Sequence, residues 1–147
     1  MLLASGGGIG FSPFFPGTLG TLSAIPVALA INGLGVGYPL AALTVLVGLI
    51  LFAVWLSDRA AKILGVKDPQ IIVIDEIAGF AVAAFLTNTL PGLIAAFVLF
   101  RFFDIAKVYP ASKLESLPGG AGIVLDDIMA GLYTFLILRV LSYTSLI

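Results

Sequence analysis

The 147-residue chain has no cysteine and no histidine. The first absence removes disulfides, zinc–thiolate centres and thiol nucleophiles. The second removes the usual general base and the commonest metal ligand, and with them every phosphohistidine mechanism. Charge is scarce too: 10% of residues carry one, where soluble domains have about 25%. The net charge of −1 offers no basic excess for a nucleic-acid partner. Any catalysis must therefore run on carboxylates, Lys, Arg, hydroxyls or a bound metal.

Apolar sequence is what the chain has in abundance. With 61% hydrophobic residues and a mean hydropathy of +1.20, it reads as an integral membrane protein. The expected fold is all-α, a polytopic membrane helical bundle in one domain over residues 1–147. Met1 to Gly10 lacks a basic n-region, and Gly and Pro interrupt the stretch after it, so no signal peptide is expected. Residues 1–18 are rich in Gly and Pro and carry Phe11, Phe14 and Phe15, which suits an irregular segment at the membrane interface.

Beyond that segment lie five apolar runs, at Leu19–Leu34, Leu40–Leu56, Ile71–Leu86, Leu93–Ala106 and Gly122–Leu141. The first is broken by Pro26 and is shorter than the about 20 residues of a full span, which points to a kinked or re-entrant helix. Four to five apolar helices result. The second run is the cleanest span, with Trp55 as an interfacial anchor.

Alternating chain direction gathers the starts of runs one, three and five with the ends of runs two and four. That face receives Asp58, Arg59, Lys62, Lys67 and Asp68, together with every later charge except Arg139. Six of the seven basic residues lie there, so the positive-inside rule makes it the cytoplasmic side.

Two acidic pairs stand in nearly the same local sequence, Ile72-Val73-Ile74-Asp75-Glu76-Ile77 and Ile123-Val124-Leu125-Asp126-Asp127-Ile128. A carboxylate placed in hydrocarbon costs roughly 2.5–3.5 kcal/mol on insertion scales, so four of them need a reason. Acids do complement the dipole at a helix start, and a single pair would need no more than that. Two matching pairs favour a site, and hard carboxylate oxygens suit Mg²⁺. Because Ile77 to Leu86 gives only about 15 Å of helix, the acids should line a polar cavity sunk into one leaflet.

Arg101, Asp104 and Lys107 recur every three residues and share one helix face. They form either an ion-paired ladder or a phosphate cradle, with Arg101 as a bidentate fork and Lys107 as a point charge. The run Pro16-Gly17-Thr18-Leu19-Gly20-Thr21 allows close backbone approach to an anion, with Thr18 and Thr21 offering hydroxyls, or it is a plain interfacial turn and helix cap. Gly119, Gly120 and Gly122 enter the last run as an anion-binding nest or a flexible entry. Gly79 and Gly131, just past the acidic pairs, suit close helix packing.

These stretches, taken in order from about residue 12 to 131, resemble the phosphatidylglycerophosphatase A family. The resemblance rests on Pro16-Gly17-Thr18-Leu19-Gly20-Thr21-Leu22 with Ala24-Ile25-Pro26, and on Asp68-Pro69 followed by Asp75-Glu76-Ile77-Ala78-Gly79. It continues with Phe100-Arg101-Phe102-Phe103-Asp104-Ile105-Ala106-Lys107, then Gly119-Gly120-Ala121-Gly122-Ile123, Asp126-Asp127 and Ala130-Gly131. One departure is Val108, where the family usually has Pro directly after the lysine.

The resemblance implies a Mg²⁺-dependent lipid phosphatase of the bacterial inner membrane. Its substrate would be a phospholipid of the cytoplasmic leaflet, phosphatidylglycerophosphate, and its product phosphatidylglycerol. Asp75, Glu76, Asp126 and Asp127 would organise the metal, and Arg101 and Lys107 would stabilise phosphoryl charge, with Thr18, Thr21, Gly119 and Gly120 as further substrate contacts. Asp104 would orient Arg101 or add a ligand. Direct attack by water and an aspartyl-phosphate route both stay open. The rival readings are an ion or proton transporter with the acidic pairs as its cation site, and a structural subunit whose charges only pair with one another. A phospholipid-building phosphotransferase would need a longer spaced-aspartate motif, which is not present.

Overall fold

Helix α1 (Pro16–Gly37) begins at a proline, whose missing N–H costs nothing in the first turn of a helix. It then runs unbroken through Pro26. Its 22 residues give about 33 Å of helix, enough to cross a bilayer. The run expected to be kinked or re-entrant is therefore extended at both ends into one helix long enough to span. Its inward face carries Gly20, Ala24 and Ala28, small residues that let neighbouring helices approach closely.

Tyr38 separates α1 from α2 (Pro39–Leu64), because Pro39 cannot continue the preceding helix. The second helix does not stop at Leu56. It carries Asp58, Arg59 and Lys62 on its last two turns and ends at Gly65 in the left-handed conformation. Asp58 and Lys62 pair at 2.7 Å.

Next comes α3 (Ile74–Ala83), which has only 10 residues and buries all of them except Glu76. At about 15 Å it cannot span; it lies inside the bundle as a half-length helix. Its carboxyl end would leave carbonyls stranded in an apolar surround, and buried Asn32 of α1 resolves this. Asn32 Nδ2 donates to the carbonyls of Ala84 and Thr87 at 2.8 Å each, and its Oδ1 accepts from the Leu86 amide at 2.8 Å.

The chain turns at Leu86 to α4 (Leu90–Ala106), capped by Thr89 Oγ1 accepting from the Gly92 amide. A single turn, α5 (Ala111–Leu114), precedes α6 (Gly120–Tyr143). Helices α3 and α6 touch backbone to backbone. A Cβ on Gly79 would stand 2.8 Å from the Asp127 carbonyl, and one on Gly131 would collide with the Gly79 carbonyl. Both glycines thus serve the close packing expected of them. Phe80 and Phe100, fully buried, meet edge to face at 5.9 Å beside this seam.

The computed structural model describes residues 1–67 and 69–144, and Asp68 and Ser145 to Ile147 lie outside the described residues. Three helices, α1, α2 and α6, are long and apolar enough to cross a membrane. The fold is an all-helical membrane bundle, with no strand among the described residues. Its ends are distinct. Gly17, Glu76 and Arg101 meet at one end, and Asn32, Thr87 and Arg139 meet at the other.

Candidate active site

The acidic end of α3 is set by the N-terminal segment. The carbonyl of Ala4 accepts from the amides of Val73 (2.9 Å) and Ile74 (3.2 Å), anchoring the chain just before the helix starts. Asp75 and Glu76 then fall in the first turn of α3, where the helix dipole favours negative charge. Asp126 and Asp127 come from the second turn of α6, brought alongside by the glycine seam.

Asp75, Glu76 and Asp127 each place a carboxylate oxygen within 4.8 Å of the other two. Asp75 is 9% exposed and Asp127 is 5% exposed. Asp75 Oδ1, Glu76 Oε2, Asp126 Oδ1 and Asp127 Oδ2 are buried with no hydrogen-bond partner among the described residues. Crowded, desolvated and unpartnered oxygens of this kind repel one another unless a proton or a cation intervenes.

These groups open into a cavity of about 310 Å³, at the small end of ligand clefts. It is lined by Phe15 to Thr18 of the α1 entrance, by Pro69, Gln70, Ile72 and Ile123, by charged side chains of α3, α4 and α6, and by Lys107 just past α4. Five carboxylates face two cations there, Arg101 and Lys107.

The two cations are held differently. Arg101 pairs with Asp104 one turn on along α4, so the expected ladder exists at that step. Lys107 does not join it. It lies just past α4 in the left-handed conformation, and its Nζ sits 2.9 Å from Asp126 Oδ2 and 2.9 Å from Glu115 Oε1. Burial alone would lower the Lys107 pKa, but hydrogen bonds and charge from Asp126 and Glu115 outweigh it and hold the ammonium above its ordinary range. Asp126 therefore differs from the other three acids of the two pairs in having a cation of its own.

Of the residues singled out in the sequence, Thr18 and all seven charged candidates, Asp75, Glu76, Arg101, Asp104, Lys107, Asp126 and Asp127, line this one cavity. Thr21, Gly119 and Gly120 do not. Thr21 is fully buried and donates to the Gly17 carbonyl at 2.9 Å, so its hydroxyl serves the helix. Gly120 donates its amide to Asp58 Oδ1 at 3.3 Å, and Gly119 packs against the same carboxylate. The glycine entrance to α6 is thus capped by Asp58. Gln70, Phe15 and Glu115 were missed. Gln70 and Phe15 adjoin recognised motifs, and that adjacency was the available signal; Glu115 reaches Lys107 through a loop that no local pattern marks.

Comparison with known proteins bears on the family of the chain. The family model described as phosphatidylglycerophosphatase A matches residues 2–142. A protein of Escherichia coli (strain K12) named phosphatidylglycerophosphatase A is 41% identical over 88% of this chain and 76% of its own. A protein of the same name from Haemophilus influenzae is 34% identical over 99% of this chain and 90% of its own. A Bacteroides thetaiotaomicron protein, provisionally named a phosphatidylinositol-3-phosphatase, is 37% identical over 95% of this chain and 91% of its own. No solved structure gives a significant match.

Proposed function

The chain belongs to the phosphatidylglycerophosphatase A family, and from that premise we propose that it hydrolyses the terminal phosphate of phosphatidylglycerophosphate to phosphatidylglycerol, with Mg²⁺, as a step in phospholipid synthesis. The observation that carries the metal is the cluster of Asp75, Glu76 and Asp127, with carboxylate oxygens within 4.8 Å of one another and buried atoms lacking partners. An anionic phosphate monoester would not enter a cavity with five carboxylates and two cations unless further positive charge were present.

Asp75, Glu76 and Asp127 would hold the cation, and Asp126, paired with Lys107, would act from a second coordination layer. A divalent cation there would supply charge neutralisation, Lewis acidity toward the phosphoryl oxygens and an acidified water. Arg101 would present its fork to two phosphoryl oxygens, with Asp104 fixing the plane of the guanidinium. Lys107 would add a point charge as negative charge spreads over the phosphoryl oxygens in the transition state. Gly17 and Thr18, whose amides lie in the first turn of α1 and lack intrahelical acceptors, would offer further donors at the cavity.

The membrane setting fits the substrate. Among the described residues, every charged side chain but Arg139 lies in the cavity-side half of its helix or in the loops joining those ends, which favours placing that end on the cytoplasmic side of the bacterial inner membrane. The same asymmetry argues against the transporter reading, which needs access from both sides. At the other end of the bundle, Asn32, Thr87 and Arg139 bond to one another and to backbone instead.

The test is phosphate release from phosphatidylglycerophosphate in detergent micelles, with Mg²⁺ or EDTA, for wild type and Asp127→Asn. Phosphatidylinositol 3-phosphate belongs in the same assay because one relative is named for it. Metal-dependent release that collapses in the folded variant supports the reading. No release from either lipid by folded wild type, with Mg²⁺ or Mn²⁺, would sink it.

A further inference from the structure

Phe15 is the only aromatic residue lining the catalytic cavity among the described residues, and it is 78% exposed. It holds a left-handed backbone (φ 47°), which a side chain of this size rarely adopts, between Pro13 and Pro16. Phe15 and Lys107 are two of the three non-glycine residues with positive φ among the described residues, and both face this cavity. Such strain persists only where the surroundings impose it, and it concentrates at sites that use it.

From Phe15 an exposed apolar stripe runs along α1. Leu19, Leu22, Pro26, Leu29 and Val36 succeed it at alternating spacings of three and four or their sum, and all are exposed. That period keeps them on one face of the helix. The opposite face, with Gly20, Thr21, Ala24 and Ala28, is packed into the bundle. Since α1 is long and apolar enough to cross a bilayer, acyl chains are the natural cover for this stripe. It therefore joins the hydrocarbon to the polar cavity without interruption, and Phe15 stands at the junction.

We propose that the outer face of α1 is the path along which the acyl chains of the lipid phosphate monoester reach the site, and that Phe15 is a specificity-determining residue at its mouth. The phenyl ring shelters the chain-proximal apolar part of the lipid while the phosphate passes inward toward Thr18, Arg101 and Lys107. A soluble phosphate monoester gains nothing from this contact. The inference rests on the lipid phosphatase reading and adds to it the side of entry and the residue that favours a lipid.

Two measurements test it in the full chain. The first compares specificity constants for phosphatidylglycerophosphate in vesicles and for glycerol 3-phosphate in solution. Phe15→Ala should lower the lipid-to-soluble ratio about tenfold, the scale for losing an apolar contact of this size, and Phe15→Leu should restore most of it. An unchanged ratio overturns the proposal. The second reads lipid contact without activity, with Phe15→Trp in a Trp55→Phe background and vesicles of lipid brominated near the top of the acyl chain. Strong quenching by the brominated lipid is expected; quenching by aqueous iodide alone overturns the path. If wild type releases phosphate from neither compound, the phosphatase reading has failed, and quenching then decides the lipid contact by itself.

Discussion

A Cβ placed on Gly17 would stand 2.6 Å from Oε1 of Glu76 and 3.3 Å from Nη1 of Arg101. The first turn of α1 is thus pressed onto two of the charged groups that make the site, and only the missing side chain allows it. Gly17→Ala should push Glu76 and Arg101 off their positions. Displacements on the order of 1 Å cost about 10²-fold in rate. The fold should lose no more than about 1 kcal/mol, because alanine favours the helix. Phosphate release and a thermal melt of the same preparation check this, and full activity in Gly17→Ala would show that the contact does not matter.

Cation binding should appear in stability before it appears in rate. A ligand bound only by the folded state at 100 times its Kd stabilises by about 2.7 kcal/mol, so Mg²⁺ should raise the melting temperature of wild type. In Asp127→Asn that rise should vanish. In EDTA the same variant should melt higher than wild type, because one of three crowded carboxylates has lost its charge, a gain of about 1–2 kcal/mol. The two shifts have opposite signs, so a merely damaged variant cannot imitate them. An equal Mg²⁺ response in both proteins would remove Asp127 from the metal site.

Much of this was legible in the sequence because charge in an apolar chain has few places to go. Alternation of the apolar runs put the charges at one end, and the structure brings Asp75, Glu76, Arg101, Asp104, Lys107, Asp126 and Asp127 into one cavity there. Long-range partnerships were not legible. Lys107 lies three residues from Asp104 yet binds Asp126 and Glu115, because a left-handed residue at the helix end turns its side chain away from the stripe. Hydropathy also could not show that α3 is a buried half-helix, since Ile71–Leu86 is as apolar as a spanning segment. The clue was Asn32, an amide in an apolar run, whose partners lie more than fifty residues away.

Lys107 and Glu115 should separate in their effects although they are ion-paired. Removing a donor aimed at developing charge costs roughly 10²–10³ in rate, so Lys107→Ala should lose that much in kcat/KM. The Lys107–Glu115 pair is half-exposed, with side chains 34% and 44% accessible, and such pairs contribute about 0–1 kcal/mol. Glu115→Gln should therefore cost less than about fivefold in rate. A double-mutant cycle on phosphate release checks both. A Glu115→Gln loss as deep as that of Lys107→Ala would mean that Glu115 acts on the substrate itself.

The far end of the bundle should govern stability without touching chemistry. Asn32→Leu keeps the branched side-chain shape but strands two carbonyls and one amide at the end of α3. Each buried unpaired group costs about 1–3 kcal/mol, and partial relaxation should leave a net loss of roughly 2–4 kcal/mol. Because α3 is only ten residues long, a loss of this size should register as a measurable fall of the melting temperature in detergent. At temperatures where the variant stays folded, kcat/KM should remain within about threefold of wild type, since none of the groups lining the cavity has moved. A folded Asn32→Leu protein as inactive as Asp127→Asn would mean that the two ends of α3 are mechanically one unit.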